Sequence, residues 1–337
     1  MTTRAPDWLK ALPAVLEAGQ SVELVTVARA DGSTPREAGA AMLVGRETIV
    51  DTIGGGHLEW EAISHARRRL AVGGGRPEIV RYNLGARLGQ CCGGVVWLVF
   101  ESMPASERDA WVERRASVLA GHHLHRQVDS EAAASVWQRA PVAGGETRLG
   151  GTAADWRFAQ HVGGLAFPIQ LFGAGHVAQA LVRQLQLLGA QITWVDTRDG
   201  AFDGLDVTDV RTVLTDVPES EVARAPAGSF FVVMTHSHAL DFSLCETIFR
   251  RRDFAYFGLI GSRSKRRSFE HRLVDRGLNP ERLDELVCPI GIAGIVDKAP
   301  AAIALAVAAE IFQVHEARRL VGDAARPRLI DNPVQPE

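Results

Sequence analysis

Short apolar runs alternate with amphipathic segments over the first hundred residues. Alternation of apolar and polar positions indicates a strand, whereas apolar positions three or four apart indicate a helix. These patterns predict helices at "DWLKALPAVLEAG" and "HLEWEAISHARRRLA", strands at "SVELVTVARA", "EIVRYN" and "GVVWLVF", and a hairpin at "AAMLVGRETIVDTI". A helix is also predicted from Ser106 to about Ala120, and the weaker pattern of 121–165 contains the strand-like "AASVWQR". Residues 1–165 are therefore predicted to form an α+β domain.

After Pro168 the pattern changes to strands that alternate with helices. "IQLFGAGHVAQALVRQLQLLGAQITWVDTR" reads as a strand, a glycine turn, a helix and a second strand. Further apolar strands are predicted at "FFVVMT", "YFGLIG" and "LVCPIG". Such alternation is typical of a doubly wound parallel sheet. We predict a Rossmann-like domain over 166–320, followed by a C-terminal tail over 321–337.

Composition narrows the class of protein. The 337 residues are 46% hydrophobic and carry a net charge of -3, which suits two globular cores and argues against a nucleic-acid partner. Four cysteines in a chain of this length do not make a disulfide framework. We find no signal-peptide pattern, and the longest apolar run, "PAAIALAVAAEIF", is shorter than the roughly 20 residues that span a membrane. The expected location is the cytoplasm.

The turn "GAGHVA" has the spacing of a dinucleotide-binding turn. Gly173 and Gly175 precede the predicted helix that His176 opens, and Asp196 ends the next strand 21 residues after Gly175. In that motif the glycines allow close approach of a pyrophosphate, and the acid binds a ribose hydroxyl. One interpretation is therefore an NAD(P)-dependent oxidoreductase that uses this turn. The other is a turn kept for packing.

Two loops of the N-terminal domain are candidates for anion binding. Gly54, Gly55 and Gly56 stand before a predicted helix whose first backbone N–H groups are free to meet an anion. "DGSTPREAGA" is a turn-rich loop from which Arg36 is expected to reach the same region. The alternative is that the glycines form only a flexible connection between strand and helix.

Cys91 and Cys92 are adjacent in "LGQCCGG". Their spacing differs from the C-x-x-C of zinc knuckles and dithiol redox sites. Arg87 nearby favours a thiolate, which is a nucleophile or a soft metal ligand. On a strand the two side chains would point to opposite faces, whereas in a turn both would face one site. Cys245 and Cys288 stand in apolar surroundings and are expected to be core residues.

Two polar clusters follow predicted strands of the second domain. "THSHALD" suggests either a metal-dependent hydrolase centred on His236, His238 and Asp241, or hydrogen-bonding histidines in the ligand crevice, which we favour. "GSRSKRRSF" places four cations at a helix start, where an anion would offset the unfavourable helix dipole. These cations are Arg263, Lys265, Arg266 and Arg267. The alternative is a solvated first helical turn. The histidines of "HHLH", His122, His123 and His125, are expected to be solvated or to lie on a strand face.

Seven motifs, taken in order, resemble the XdhC/CoxI family of bacterial accessory proteins. They are "GSTPREAGAAMLV", "TIGGGHLEWEAI", "QCCGG", "LFGAGHVAQAL", "VVMTHSHALDF", "YFGLIGSRSKRRSF" and "PIGIAGIVDKAPAAIALAVAAEI". The resemblance covers about residues 20–317 and implies an XdhC/CoxI domain followed by a Rossmann domain. It implies a carrier rather than an enzyme.

The resemblance also implies a cargo and partners. Family members bind the molybdenum cofactor (molybdopterin), hold it while a cysteine desulfurase adds a terminal sulfur, and deliver it to the large subunit of xanthine dehydrogenase. A homo-oligomer is expected. Cys91, Cys92, Arg36 and the glycine turns are then the expected contacts of the cofactor, together with His176, His236, Arg263 and Lys265. The two cysteines are expected to have unequal roles, with Cys91 slightly preferred as a molybdenum ligand.

Overall fold

The computed structural model describes residues 6–85, 93–120, 122–140, 147–163 and 167–324. The chain divides into two compact units, with the division between residues 165 and 166. The two units have different architectures. The N-terminal unit is built on antiparallel sheets, and the C-terminal unit is built on a parallel sheet.

The N-terminal unit contains two antiparallel sheets and three α-helices among its described residues. Its elements are α1 (Asp7–Glu17), β1 (Val22–Asp31), β2 (Ala41–Val44), β3 (Ile49–Val50), α2 (Gly56–Ala71), β4 (Glu78–Asn83), β5 (Val95–Met103), α3 (Arg108–Leu119), β6 (His123–Asp129), β7 (Val136–Ala140), β8 (Arg148–Gly151) and β9 (Trp156–Val162). The first sheet has the order β3-β2-β1-β5-β4, and the second has the order β7-β6-β9-β8. The strand predicted at "AASVWQR" is confirmed as β7, which pairs with β6.

Helices cover both faces of the first sheet because its central strands are apolar on both sides. β1 is buried over its first seven residues. On one face, α2 contributes Leu58, Ala62 and Ala66, which recur every four residues and so form one helical stripe. On the other face, Trp8 of α1 and Trp111 of α3 pack edge to face with ring centroids 6.2 Å apart. The strands of this sheet are thus held between two apolar layers.

A buried polar cluster joins the two sheets of this unit. Arg126 of β6 is fully buried and forms an ion pair with Glu101 of β5, which is 2% exposed. The Arg126 guanidinium also donates to the Thr26 hydroxyl and to the Gln160 amide oxygen, both at 3.0 Å. Because charged groups are costly to bury alone, this cluster fixes how the second sheet sits on the first.

The C-terminal unit is a parallel five-stranded sheet of Rossmann type, as predicted. Its elements are β10 (Pro168–Phe172), α4 (His176–Leu187), β11 (Gln191–Asp196), β12 (Arg211–Leu214), α5 (Glu219–Arg224), β13 (Phe230–Val233), α6 (His238–Phe249), β14 (Tyr256–Leu259), α7 (Arg263–Asp275) and α8 (Pro300–Ala324). The strand order is β12-β11-β10-β13-β14. α8 continues into the segment predicted as a tail.

One predicted strand of this unit is wrong. The segment "LVCPIG" forms no strand, and its contact with the sheet is a single bridge from Val287 to Gly258. Pro289 lacks a backbone donor, so the segment is unsuited to extending the ladder. The apolar residues are nevertheless buried, since Leu286 and Cys288 pack into the core under α7. The apolar run therefore correctly indicated burial but not a strand.

The sheet order places a crevice at a defined edge. From β10 the chain first moves outward to β11 and β12, and then crosses back to β13 on the other side of β10. Loops that leave β10 and β13 separate to opposite faces, which opens a crevice at the carboxyl ends of these strands. No helix of the described residues is long and apolar enough to cross a bilayer.

Candidate functional site

Three glycine-containing segments of the N-terminal unit meet at one end of the first sheet. A Cβ atom added to Gly94 would lie 2.5 Å from the carbonyl oxygen of Ser33. One added to Gly54 would lie 2.5 Å from Cβ of Pro35. The loop after β1 is therefore in backbone contact with the segment before β5 and with the triple-glycine turn before α2. Glycine at both positions permits an approach that any larger residue would block.

The triple-glycine turn already holds an anionic group, the side chain of Glu59 in the first turns of α2. One Glu59 carboxylate oxygen accepts hydrogen bonds from the backbone N–H of Ile53 at 3.0 Å and of Gly55 at 3.1 Å. The Thr52 hydroxyl donates to the same oxygen. The turn thus provides the anion-binding geometry expected of a glycine-rich helix start. A carboxylate of the chain itself fills it.

Arg36 lies beside this turn, as expected. Its guanidinium donates to the carbonyl oxygen of Thr52 at 3.5 Å, and its side chain is 39% exposed. A Cβ atom added to Gly54 would lie 3.3 Å from Cγ of Arg36. Around Gly55, by contrast, a Cβ would meet no described atom within 4 Å. Gly56 is exposed at the first residue of α2. The turn and Arg36 therefore present an open surface.

Cys91 and Cys92, predicted as cofactor contacts, lie outside the described residues. In sequence they directly precede Gly93 and Gly94. Gly94 is the residue that touches the loop after β1. The segment directly after the cysteines therefore lies against the loop after β1.

An exposed aromatic pair, not predicted from the sequence, lies next to the triple-glycine turn. The His57 and Trp60 rings stack with centroids 5.5 Å apart, and Trp60 is 61% exposed. The signal was present in the spacing, because residues three apart on a helix start share a face. The exposed ring of Trp60 is a surface on which a flat ring can stack.

In the C-terminal unit a small crevice opens at the carboxyl ends of β10 and β13. Its volume is about 10 Å³, which is room for about one water molecule. Its apolar walls are Phe172, Val195, Pro218, Leu240 and Leu244, and its polar lining is Asp196, Thr197, Thr235 and His236. The crevice lies where the sheet order predicts a ligand site.

The predicted glycine turn forms one rim of this crevice. Gly173 has a φ of 106°, and a Cβ there would lie 2.4 Å from the carbonyl oxygen of Met234, so only glycine fits. Gly175 has open space on its Cβ side, and no side chain of the described residues caps α4. His176, the first residue of α4, is exposed. Gly173 thus serves strand packing, and Gly175 leaves the helix start accessible.

Asp196, at the end of β11, is fully engaged within the chain. Its Oδ2 accepts from the N–H of Ala174 at 2.6 Å and from Nη2 of Arg198 at 2.9 Å. Its Oδ1 accepts from the backbone N–H of Arg198 at 2.9 Å and from Nε at 3.0 Å. Burial raises the pKa of the Asp196 carboxyl, but these hydrogen bonds outweigh burial and leave the pKa below its usual value. Arg198, two residues beyond the acid, was missed by the sequence analysis.

The cluster at "THSHALD" is a structural network rather than a metal site. Asp241 is fully buried, accepts from the backbone and hydroxyl of Thr235 at 3.0 and 2.7 Å, and pairs with Lys265 at 2.5 Å. His236 and His238 are exposed, and His236 lines the crevice. Within the described ranges, no three or more His, Cys, Asp or Glu side chains are placed to hold a metal ion. The metal-dependent hydrolase therefore has no support here.

The cations at the start of α7 divide into two groups. Lys265 is committed to Asp241 and to the Ile260 carbonyl, and Arg266 is committed to Glu270 and the Cys288 carbonyl. Arg263 and Arg267 are exposed, and Ser262 caps the helix by accepting from the Lys265 N–H. The expected anion site thus has two of its four cations directed into the protein.

The prediction that Cys245 and Cys288 are core residues is confirmed, and two of the three histidines of "HHLH" lie on a strand. Cys245 and Cys288 are buried, and burial raises the pKa of both thiols, which suits inert core residues. His123 and His125 lie on β6, and the His125 ring packs against the His161 ring with centroids 4.6 Å apart.

Two family models match the chain. Residues 15–83 match the model described as XdhC and CoxI family, and residues 169–311 match the XdhC Rossmann domain. Each match falls within one of the two units. No curated protein matches the chain in sequence.

A solved structure has the same fold. It is a protein of Bacillus halodurans described as a xanthine dehydrogenase, with 20% sequence identity and a TM-score of 0.74. The similarity covers 96% of this chain and 98% of that chain. At this identity the likeness establishes a shared fold over both units.

Proposed function

This chain belongs to the XdhC and CoxI family, and from that premise we propose that it carries the molybdenum cofactor during maturation of xanthine dehydrogenase. The family assignment supports a role in xanthine dehydrogenase maturation. The finer steps belong to the proposal: the chain binds the cofactor, holds it while a cysteine desulfurase adds sulfur, and hands it to the large subunit of the enzyme. The chain itself acts as a carrier.

The meeting of the three glycine-containing segments is the observation that supports a cofactor site in the N-terminal unit. Gly54 and Gly94 bring the triple-glycine turn, Arg36 and the start of β5 to one end of the sheet. The residues that directly precede this start of β5 in sequence include Cys91 and Cys92. A thiolate is a suitable ligand for a soft metal, and Arg36 suits the phosphate of a pterin cofactor.

The side chain of Glu59 fits the requirement that a carrier must release its cargo. Because Glu59 accepts from the N–H groups of Ile53 and Gly55, an incoming phosphate competes with a carboxylate already in place. Competition from within the chain lowers the net affinity without removing the binding geometry. The exposed Trp60 ring beside the turn offers a stacking surface for the pterin.

The experiment is to measure the cofactor retained by the purified chain after co-expression with the cofactor pathway. Cys91→Ala and Cys92→Ala are compared with Cys288→Ala, a buried cysteine of the other unit. We expect near-stoichiometric molybdopterin in wild type and Cys288→Ala, and a loss of tenfold or more in one of the first two variants. Equal retention in all four proteins would overturn the role of the cysteines, and no molybdopterin in any of them would overturn the carrier function.

Delivery is tested separately from binding. Wild-type protein loaded with the cofactor is mixed with cofactor-free xanthine dehydrogenase, and the recovery of xanthine oxidation is followed with and without a cysteine desulfurase. Recovery that requires both the loaded chain and the cysteine desulfurase supports the proposed order of steps. Recovery of the same extent from free cofactor alone would contradict the carrier role.

A further inference from the structure

We propose that the second sheet of the N-terminal unit binds a divalent transition-metal ion, of the class of Zn²⁺, Ni²⁺ and Cu²⁺, through His125 and His161. The two histidines lie on the neighbouring strands β6 and β9 and form one site with two protein ligands. The site uses none of the residues proposed to hold the cofactor. No catalysis is inferred.

The pairing of β6 with β9, the two inner strands of the second sheet, holds the two imidazoles at a fixed separation. His125 is directly opposite His161 in the antiparallel register, so both side chains leave the same face of the sheet. Their neighbours Leu124 and Val162 are buried on the other face, since successive residues of a strand alternate between faces. His125 and His161 themselves are partly exposed. The backbone ladder therefore fixes the pair, and solvent reaches it.

The spacing and tilt of the two rings suit two imidazoles on one metal ion. Their centroids are 4.6 Å apart, and their planes are inclined by 41°. Metal–nitrogen bonds of about 2.0–2.1 Å that meet at about 90–110° place two imidazole centroids about 4.5–5.2 Å apart. The lone pairs of two parallel stacked rings lie in planes that never meet, whereas the planes of tilted rings intersect. A metal ion on that line is within reach of one nitrogen of each ring.

The donor set selects the kind of ion and how firmly it is held. Imidazole nitrogen suits Zn²⁺, Ni²⁺ and Cu²⁺, whereas Mg²⁺ and Ca²⁺ prefer oxygen ligands. The next residues of the same face on these strands include His123, Gln127 and Ala159, none of which carries a permanent charge. Within the part of the chain that the structure describes, no third His, Cys, Asp or Glu completes a larger group. Water would fill the remaining ligand positions, so the ion is exchangeable, unlike a four-ligand structural zinc.

Binding at this pair couples the ion to the fold of the second sheet. The two histidines are far apart in sequence, so only the folded sheet presents them together. Once one imidazole holds the ion, the second binds it within the same molecule, which raises the affinity about 10²–10⁴-fold over a single imidazole. An ion that binds the folded chain more tightly than the unfolded chain stabilises the fold. Metal binding should therefore be seen as a rise in melting temperature.

The test is a zinc titration of the full chain, purified without a histidine tag and carrying Cys91→Ala and Cys92→Ala. This parent variant lacks the two adjacent thiols, which are soft ligands of their own, so the result does not depend on the proposed cofactor site. Isothermal titration should show one zinc ion bound and a higher melting temperature, and Mg²⁺ at equal concentration should give neither. His125→Gln and His161→Gln should each weaken binding about a hundredfold. His271→Gln, at an exposed histidine of α7, should bind zinc as the parent does.

Two further measurements distinguish one shared ion from two separate weak sites. Replacing both histidines should weaken zinc binding little more than replacing either one, because the first substitution already removes the pair. Independently of any histidine variant, the electron paramagnetic resonance spectrum of the Cu²⁺-loaded parent should show coupling to two imidazole nitrogens.

Three results would overturn the proposal. The first is the absence of saturable zinc binding by the parent below about 1 mM. The second is unchanged affinity in His125→Gln or His161→Gln, with an unchanged melting temperature in EDTA showing that the variant is folded. The third is additive losses in the double variant, or coupling of Cu²⁺ to fewer than two imidazole nitrogens.

Discussion

The carboxylate of Glu59 accepts a hydrogen bond of 3.1 Å from the backbone N–H of Gly55. The group that accepts hydrogen bonds from the glycine-rich helix start thus comes from the first turn of the same helix. Hydrogen bonds to a charged acceptor are worth about 1.5–3 kcal/mol, more than a neutral pair gives. Glu59 therefore both stabilises the turn and competes with other anions for its backbone N–H groups.

Replacing Glu59 should weaken the fold and open the turn. For Glu59→Ala we expect the free energy of unfolding to fall by about 1.5–3 kcal/mol, because two backbone N–H groups and the Thr52 hydroxyl lose their acceptor. Inorganic phosphate should then raise the melting temperature of the variant more than that of wild type. Glu61→Ala, which loses only an exposed contact to His57, is the control and should behave as wild type. An equal phosphate response in both variants would contradict this role for Glu59.

Alanine at Gly54 should be more damaging than alanine at Gly55. Both residues have positive φ, 121° and 73°, so both substitutions cost backbone strain of about 1–3 kcal/mol. Only the Gly54 Cβ would also meet Pro35, at 2.5 Å. Denaturant unfolding of the two variants should show the larger loss for Gly54→Ala. Equal losses would mean that the contact with Pro35 adds nothing to the strain.

The buried pair of Glu101 and Arg126 should tolerate joint replacement better than the loss of one partner. Arg126→Met leaves the Glu101 carboxylate buried and unpaired, and Glu101→Leu does the same to the guanidinium. Each single variant should lose about 3–5 kcal/mol of unfolding free energy, and the double variant should recover most of that loss. Equilibrium urea unfolding of all four proteins gives the coupling energy directly. Additive losses would exclude a coupled pair.

The C-terminal unit should lose stability in acid as Asp196 takes up a proton. Because the pKa of Asp196 is lower in the folded chain than in the unfolded chain, its contribution is complete above the unfolded value of about 3.9. This contribution is lost as the pH falls through the folded pKa. Arg198→Ala removes hydrogen bonds that lower this pKa, so its unfolding free energy should depend less steeply on pH below the unfolded pKa of about 3.9. An unchanged slope would show that Arg198 does not stabilise the carboxylate.

Much of the fold follows from local patterns in the chain. The apolar stripe of α2, the run of buried residues in β1 and the glycine turn before α4 specify elements through contacts within a few residues. The strand–turn–helix–strand pattern from β10 to β11 specifies a parallel pair of strands. Neighbouring strands that run in the same direction need a crossover connection, and the helix α4 supplies it. The segment at Cys288 shows the limit, since an apolar run indicates burial equally for a strand and for a packed loop.

The partners of the charged residues were decided only by the tertiary structure. From the sequence, Glu59 is a residue in a helical turn, Lys265 is one of four cations, and Asp196 is a ribose-binding acid. In the folded chain Glu59 fills the glycine turn, Lys265 pairs with buried Asp241, and Asp196 is saturated by Arg198 and Ala174. The strength of a charge contact depends on distance and burial, which packing sets and which residue spacing does not encode. The sequence thus determined which chemical groups the protein has and roughly where they lie, and the fold decided which of them are open to a ligand.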